Sequence, residues 1–166
     1  MEELIPIDTS YKGYWFRSRL EARWAVFFDN MGWDWVYEHE GFKLPSGYYL
    51  PDFYFPELNL WAEVKPTELN ELDFTRCKEL SERMKKSEHG VDVLLMEGSS
   101  IDCKAFRTII NGNLSVKVLL VHISEQHYPF FVSDTYHPNR HYFMDETIKS
   151  IEKARSSRFE FEWKEQ

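Results

Sequence analysis

Apolar residues along the chain change between helical and strand spacing, and these changes divide it into a succession of short elements. Residues 17–31 carry apolar side chains at helical spacing, and Gly32 follows where such a helix would end. Segments that are rich in aromatic and β-branched residues predict strands. These segments are residues 33–38, 48–55, 60–65, 91–96, 116–123 and 128–132. The pattern therefore predicts a chain that begins with a helix and continues mainly in strands.

Two more helices complete the predicted layout. Thr67 is placed to cap a helix that runs to about Glu88 and is closed by Gly90. The inner side of this helix is formed by Leu69, Leu72, Leu80 and Met84. A last helix is predicted over residues 146–155, and alternating aromatic residues predict a final strand over residues 159–163.

The order of these elements indicates the fold class. Strand 91–96 is reached from strand 60–65 through a helix, which predicts that the two strands are parallel. We therefore expect an α/β fold with a mixed central β-sheet flanked by helices. With 166 residues, the chain predicts a single domain over residues 1–166, with a core at about 11–97 and a C-terminal elaboration at about 98–166.

Composition narrows the class of protein. Hydrophobic residues make up 43% and aromatic residues 17% of the chain, enough to form a packed core. No run of about 18 or more apolar residues occurs, and the N-terminus lacks the pattern of a secretory signal. Cys77 and Cys103 are too few for a disulfide scaffold or a zinc site. We expect a cytoplasmic protein that has no membrane partner.

Residues 48–65 predict a β-hairpin whose register can be read from its turn. The four residues 56–59 include Pro and Asn, and they separate two aromatic-rich strands. With this loop, Phe55 would pair with Leu60. The hairpin is the part of the chain in which candidate catalytic residues lie close together.

That register places Asp52 opposite Glu63. Because strand side chains alternate, Glu63 and Lys65 share one face. Two carboxylates opposite each other across an antiparallel pair have Cβ atoms roughly 5 Å apart, and they repel each other unless a cation lies between them. Mg²⁺ is bound through one or two carboxylates, water and substrate phosphates. Two acids, a lysine and a divalent metal are the groups that phosphodiester cleavage requires. Taken singly, each of these residues also fits an ordinary solvated strand.

The hairpin resembles the PD-(D/E)XK signature of the restriction-endonuclease-like nuclease superfamily, through Pro51-Asp52, a ten-residue gap and Glu63-Val64-Lys65. Residues 16–24 are similar to the first-helix motif of small phage and mobile-element members of that superfamily, and residues 154–160 resemble their tail. The resemblance covers residues 11–66 and extends weakly to the C-terminal tail, whereas residues 98–145 match nothing that we can name.

The resemblance implies a restriction-endonuclease-like core and a metal-dependent deoxyribonuclease, in the host cytoplasm if the chain is phage-encoded. Asp52, Glu63 and the backbone carbonyl of Val64 would hold Mg²⁺, with Mn²⁺ as a substitute. Lys65 would orient the attacking water or contact the phosphate. Glu21 would join the metal site from the first helix, either as a further ligand or as a ligand of a second metal.

Glu21 also has a purely structural interpretation. Ser18-x-x-Glu21 before an apolar run is a capping-box pattern, in which the glutamate binds the backbone N–H of Ser18. Glu21 lies at the border of the apolar stripe of its helix, so it can also lean toward whatever the helix packs on. His39 and His122 are excluded from the catalytic set, because a lone histidine at a strand end is more often structural.

A formal net charge of −8 opposes DNA binding, since affinity for nucleic acid comes largely from neutralised phosphates. The cations are nevertheless clustered in residues 12–23 and 137–158. Candidate phosphate-binding residues are Lys12, Arg17, Arg19, Arg155 and Arg158. Residues 137–158 fit a solvated helix face equally well. We expect weak DNA binding that depends on metal.

A second hypothesis comes from another class of protein. The acidic chain would then be a non-catalytic interaction module on a nuclease-like scaffold, binding a protein partner or mimicking DNA. The pair of carboxylates at Asp52 and Glu63 argues against this, because a binding module does not require them to face each other. For a nuclease, a homodimer is the simple route to cutting both strands, whereas a monomer nicks one. The sequence does not decide between these oligomeric states.

Overall fold

A computed structural model describes the backbone of residues 7–84, 93–98, 106–110, 113–114, 119–123, 126–132 and 140–159, with side chains described within 7–84, 93–98 and 148–159. The helices in these ranges are α1 (Arg19–Asn30), α2 (Glu71–Arg83) and α3 (Arg140–Ser156). The strands are β1 (Thr9–Tyr11), β2 (Tyr14–Phe16), β3 (Val36–Tyr37), β4 (Phe42–Leu44), β5 (Gly47–Tyr49), β6 (Phe53–Phe55), β7 (Leu60–Lys65), β8 (Val93–Glu97), β9 (Phe106–Ile110), β10 (Asn113–Leu114), β11 (Leu119–Ile123) and β12 (Gln126–Val132). Within this part of the chain, no helix is long and apolar enough to cross a membrane.

Six strands form the central sheet in the order β10-β9-β8-β7-β6-β3. Neighbours in this sheet are antiparallel except β7 and β8, which are parallel. The helix α2 lies between β7 and β8 in sequence and supplies the crossover that a parallel pair requires. The predictions of an α/β fold, of a mixed sheet and of this parallel pair are therefore confirmed. Separate two-stranded sheets are formed by β1-β2, β4-β5 and β11-β12.

Helices or hairpins cover both faces of the sheet. On one face, Phe28 of α1 and Ala154 of α3 share a core with Val64 of β7. On the other face, Leu80 of α2 shares a core with Trp61 of β7 and with residues of the β4-β5 hairpin. Alternate residues of β7 therefore enter different cores, so residues 60–64 are buried on both faces of the sheet, and Lys65 at the end of the strand is partly exposed.

The hairpin β6-β7 has the predicted register. Phe55 pairs with Leu60, and a single 3-10 turn over Pro56–Leu58 joins the strands. Asn59 closes this turn in the left-handed conformation, with φ of 47°, which asparagine tolerates better than most residues. The turn fixes one end of the hairpin, and the candidate site lies at the other end.

The predicted strand over residues 48–55 is wrong in one respect, because it is two strands. β5 pairs with β4, while β6 pairs with β3 and β7, and residues 50–52 between them belong to neither strand. Pro51 has no backbone N–H to give to a ladder, so the chain leaves one sheet there and joins another. This break places Asp52 where the chain enters the central sheet.

The predicted strand over residues 33–38 is reduced to β3. The N–H of Trp33 donates to the carbonyl of Phe28 at 3.0 Å, and the N–H of Gly32 donates to that of Asp29 at 3.1 Å. These bonds form the C-terminal cap of α1, with Gly32 at φ of 70°. Trp33 therefore belongs to the cap of α1 and not to the strand that follows, although its aromatic side chain is typical of that strand.

The helix boundaries also differ from prediction. α1 begins at Arg19 after Ser18, and α2 begins after Asn70, whose Oδ1 accepts from the N–H of Asp73 at 2.8 Å; Thr67 is not its cap. α2 ends at Arg83, well before the predicted end, while Gly90 lies outside the described residues.

The predicted inner face of α2 and the predicted start of α3 need correction as well. Leu72 is 48% exposed and does not belong to the inner face. α3 starts at Arg140, six residues earlier than predicted, because the run Tyr142-Phe143-Met144 has no helical spacing that would reveal the start. Of the predicted final strand, Phe159 lies outside any strand, and residues 160–166 are outside the described residues.

Candidate active site

Asp52 lies immediately before β6, and continuing the β6-β7 register by one pair places it opposite Glu63. Asp52 is 4% exposed. Oδ2 accepts from the backbone N–H of Val64 at 2.7 Å, and Oδ1 accepts from Nη2 of Arg17 at 2.8 Å. Both carboxylate oxygens are thus held, one by the neighbouring strand and one by the segment that precedes α1.

Glu63 lies on β7 and is 4% exposed. The hydroxyl of Tyr49 donates to its Oε2 at 2.7 Å, and Nζ of Lys65 lies 2.9 Å from its Oε1. Nζ also lies 3.5 Å from Oδ1 of Asp73, in the first turn of α2. The predicted common face of Glu63 and Lys65 is confirmed, and α2 adds a third charged residue to it.

The carboxyl groups are electrostatically coupled. Burial, together with the charges of Glu63 and Glu21, raises the pKa of Asp52 well above its usual value, although the Val64 N–H and Arg17 act in the opposite direction. Burial also raises the pKa of Glu63, against the lowering effects of Lys65 and Tyr49. Without further positive charge nearby, the carboxyl groups of Asp52 and Glu63 therefore favour binding of a proton.

Lys65 stays protonated in this setting. Burial lowers its pKa, but the carboxylates of Glu63, Asp73 and Asp52 outweigh burial and raise the pKa overall. Lys65 is therefore a fixed cation next to two buried acids. This property agrees with the predicted positioning role and not with that of a general base.

Glu21 is 8% exposed, and both of its carboxylate oxygens have hydrogen-bond donors. Ser18 Oγ donates to Oε1 at 2.7 Å, and the Tyr37 hydroxyl donates to Oε2 at 2.5 Å. Ser18 Oγ in turn accepts from the backbone N–H of Glu21 at 3.2 Å, which makes Ser18 the N-cap. The predicted N-cap role of Ser18 is confirmed, but the Glu21 carboxylate accepts from the Ser18 hydroxyl and not from the Ser18 backbone N–H that the capping box predicts. Because its charge also raises the pKa of Asp52, Glu21 belongs to the same electrostatic cluster.

Arg17 bridges two acids from the segment between β2 and α1. Its Nε lies 2.7 Å from Oε1 of Glu38, its Nη2 binds Asp52, and its side chain remains 58% exposed. Its backbone N–H donates to the Tyr37 hydroxyl at 3.1 Å. The predicted phosphate-binding arginine therefore contacts the candidate site directly, as the counter-ion of a buried carboxylate.

The chemistry of these donors fits a hard divalent cation, which prefers carboxylate oxygens. Asp52 and Glu63 are the residues that would hold it, with Glu21 and the carbonyl of Val64 as the further predicted ligands. Among the described residues, however, no group of three or more His, Cys, Asp or Glu side chains is arranged to hold a metal ion. Arg17 and Lys65 supply the nearby positive charge instead, so binding a cation requires these side chains to exchange partners.

The other predicted phosphate-binding residues lie on the β1-β2 hairpin, at the start of α1 and at the end of α3. Lys12 is at the tip of the β1-β2 hairpin and pairs with Asp29 at 2.9 Å. Arg19 is exposed in the first turn of α1. Arg155 and Arg158 are exposed at the end of α3 and just beyond it, on the face of the sheet that α1 covers. Their phosphate-binding roles remain predictions.

Sequence reasoning missed the residues that hold the charged side chains in place, namely Tyr37, Glu38, Tyr49 and Asp73. Their partners lie on other elements, so no local spacing reveals them. Buried aromatic residues with a hydroxyl are a usable signal, since Tyr and not Phe is required where a buried polar atom needs a donor. His39, excluded from the catalytic set, stacks on Tyr54 with ring centroids 4.9 Å apart.

Comparison of the chain with protein-family models, with curated proteins and with solved structures finds no match. Fold and site geometry therefore carry the functional argument.

Proposed function

We propose that the chain is a metal-dependent deoxyribonuclease with a restriction-endonuclease-like core, which hydrolyses phosphodiester bonds within DNA in the cytoplasm. The observation that carries the proposal is the burial of Asp52, immediately before β6, opposite the buried Glu63 of β7, with Lys65 beside them. Buried acids with raised pKa values cost folding free energy, and such groups concentrate at functional sites. An α/β fold with a mixed sheet flanked by helices is also the layout expected of the superfamily that the sequence resembles.

In this proposal Asp52 and Glu63 bind Mg²⁺ or Mn²⁺, with Glu21 and the Val64 carbonyl as additional ligands. The bound cation would lower the pKa of a coordinated water and offset the charge that develops on the phosphate. Lys65 orients the attacking water or contacts a phosphoryl oxygen, as its raised pKa permits. Arg17 releases Asp52 and turns its exposed guanidinium to a DNA phosphate, and Arg19 provides a second anchor.

One observation favours a second candidate, the non-catalytic interaction module. Each buried carboxylate already has internal partners, and the described residues hold no ready group of three metal ligands. A non-catalytic scaffold in which these ion pairs only stabilise the fold would have the same arrangement of side chains and would bind no metal. The net charge of −8 also suits an acidic surface that binds a protein or mimics DNA.

A nuclease assay separates the two candidates. Plasmid, linear duplex, single-stranded and branched DNA are incubated with the protein in Mg²⁺, in Mn²⁺ or in EDTA. We expect cleavage in either metal and none in EDTA. We also expect Asp52→Asn and Glu63→Gln to abolish cleavage while the folded state is kept, since each substitution removes a charge from a crowded acidic site.

The chain offers matched controls for both substitutions. Glu57→Gln neutralises an exposed glutamate at the turn end of the same hairpin, and Asp34→Asn neutralises an exposed aspartate between α1 and β3. Both variants should cleave as the wild type does. Wild-type turnover in Asp52→Asn or Glu63→Gln would show that the site lies elsewhere. A folded wild-type protein that cleaves none of the four substrates would favour the interaction module.

A further inference from the structure

The β1-β2 hairpin projects from the fold directly before the candidate site. Tyr11 pairs with Tyr14, which leaves Lys12 and Gly13 as a two-residue turn with φ of 49° and 81°. Positive φ at both positions is typical of the tight turn whose twist matches a hairpin. Phe16 at the base of the hairpin is 1% exposed, and its ring lies 4.4 Å from that of Tyr37. The base of the hairpin is therefore anchored in the core beside the carboxylates.

Two aromatic side chains on this hairpin are exposed to solvent. Tyr14 is 37% exposed and Trp15 is 46% exposed. The ring of Tyr14 lies 5.1 Å from that of Trp35, on the same side of the strand as Phe16. Because side chains alternate along a strand, Trp15 faces the opposite side. The hairpin thus presents one aromatic ring on each of its faces.

Exposed cations lie at both ends of this aromatic pair. Lys12 is at the tip, with its side chain 58% exposed, and Arg17 and Arg19 follow the hairpin at its base. Arg17 also contacts Asp52, so the base of the hairpin adjoins the candidate site. Exposed aromatic rings interleaved with cations are the two components of surfaces that bind single-stranded nucleic acid.

We propose that the β1-β2 hairpin is a stacking arm that binds unpaired nucleotides of DNA next to the site of cleavage, through Tyr14 and Trp15. The inference rests on the proposed nuclease function and names its substrate class, which is single-stranded or branched DNA in preference to intact duplex. In a duplex, the faces of the bases are covered by their neighbours. Unpaired bases expose these faces to the two rings.

The charge of the chain supports this assignment. A protein with a net charge of −8 gains little affinity from neutralising phosphates over its whole surface. Stacking of a base on an aromatic ring does not depend on net charge, and each such contact strengthens binding by roughly fivefold to more than a hundredfold. Two rings beside three local cations therefore offer an acidic protein a route to binding DNA.

Fluorescence anisotropy of a labelled oligothymidylate of about 12 nucleotides tests the arm. EDTA prevents cleavage and removes DNA binding that depends on metal at the carboxylates, whereas stacking of bases on the two rings needs no metal. We expect the wild type to bind the oligonucleotide at least tenfold more tightly than a blunt duplex of the same length. We expect Trp15→Ala and Tyr14→Ala each to weaken oligonucleotide binding at least fivefold, and Trp15→Phe, which keeps a ring, to retain most of it. Melting temperatures of all variants verify that they are folded.

Tyr48→Ala is the matched control, because Tyr48 is an exposed aromatic residue, 67% exposed, on the separate β4-β5 hairpin. It should bind as the wild type does. Three results would each contradict the proposal that the hairpin is a stacking arm. They are absence of oligonucleotide binding by the wild type, equal affinity of the wild type for duplex, and unchanged affinity in both arm variants. Specific binding without cleavage in Mg²⁺ or Mn²⁺ would overturn the nuclease and leave the arm. Cleavage with unchanged binding in the arm variants would overturn the arm alone.

Discussion

Nη2 of Arg17 lies 2.8 Å from Oδ1 of Asp52, across 35 positions of sequence, and joins the segment before α1 to the entrance of the central sheet. Asp52 is almost completely buried, whereas the arginine side chain is 58% exposed. Solvent access on the arginine side leaves room for that side chain to move away, while Asp52 stays fixed by the Val64 N–H. The pair therefore marks the position where positive charge is exchanged if a metal binds.

Arg17→Ala should make the metal-free protein less stable and more responsive to metal. Its loss leaves Asp52 near Glu63 and Glu21 without a counter-ion, at a cost between that of exposed and buried ion pairs, about 1–3 kcal/mol. Mg²⁺ or Mn²⁺ no longer competes with the guanidinium and should raise the melting temperature more than in the wild type. Scanning fluorimetry in EDTA and in metal measures both effects.

Lys12→Ala is the control for this experiment, because Lys12 has the same side-chain exposure, 58%, and also pairs with an aspartate. Its metal-induced shift should equal that of the wild type. A metal-induced shift in Arg17→Ala no larger than in the wild type would mean that arginine and metal do not share Asp52.

Lys65→Ala should lose cleavage rate and keep metal affinity. Nζ binds an oxygen of Glu63, so its removal leaves that carboxylate free for a cation. In the proposed mechanism, its positive charge acts on water and phosphate and is not a metal ligand. Single-turnover kinetics and calorimetric metal titration separate these quantities, with Lys78→Ala on the exposed side of α2 as control. Strongly weakened metal binding with a nearly normal rate contradicts this role.

Glu21→Gln separates the capping and the metal-binding roles. Glutamine keeps an oxygen that can accept from Ser18 Oγ or from the Tyr37 hydroxyl, but it binds a hard cation poorly. We expect a normal metal-free melt and cleavage at least tenfold slower, which corresponds to about 1.4 kcal/mol in the barrier. Glu21→Ala should in addition lose about 0.5–2 kcal/mol of stability through the cap. Normal cleavage by Glu21→Gln would leave Glu21 as a cap alone.

The stability of the metal-free protein should depend on pH through Asp52. Its folded pKa is raised, so its contribution to stability is full below the unfolded pKa of about 3.9 and is lost as pH rises through the folded pKa. Asp52→Asn stays neutral at every pH. In EDTA, its melting temperature relative to the wild type should therefore increase as pH rises through that interval. Asp34→Asn, exposed on the surface, should show no such trend. A constant difference for Asp52→Asn would contradict the raised pKa.

Tyr49→Phe should move the pH dependence of cleavage to higher pH. The Tyr49 hydroxyl donates to Glu63 and lowers its pKa, so removing it raises that pKa and leaves less carboxylate at a given pH. The lost buried hydrogen bond should also cost about 1 kcal/mol. A pH–rate profile measures the shift. Tyr54→Phe is the control, because its hydroxyl donates to Asn59 at the turn end of the same hairpin. An unmoved profile would make Tyr49 purely structural.

The register of the β6-β7 hairpin and the common face of Glu63 and Lys65 were predictable from the sequence alone. Both follow from local rules, since the turn length fixes which residues pair and the strand period fixes which residues share a face. The parallel pairing of β7 with β8 also followed from sequence, because a helix between two strands supplies the crossover. The alternation of side chains along a strand also predicts a single strand across residues 48–55, whereas Pro51 divides this segment into β5 and β6.

Packing between elements sets which groups hold the buried acids. Arg17, Tyr49 and Asp73 reach the site from segments whose distance and direction depend on how helices and hairpins pack on the sheet. The sequence therefore predicts a cation between two facing carboxylates, whereas the fold provides Arg17 for one and Lys65 for the other. Local periodicity places a side chain on a face of its own element. Partners across elements are set by packing, which no single segment encodes.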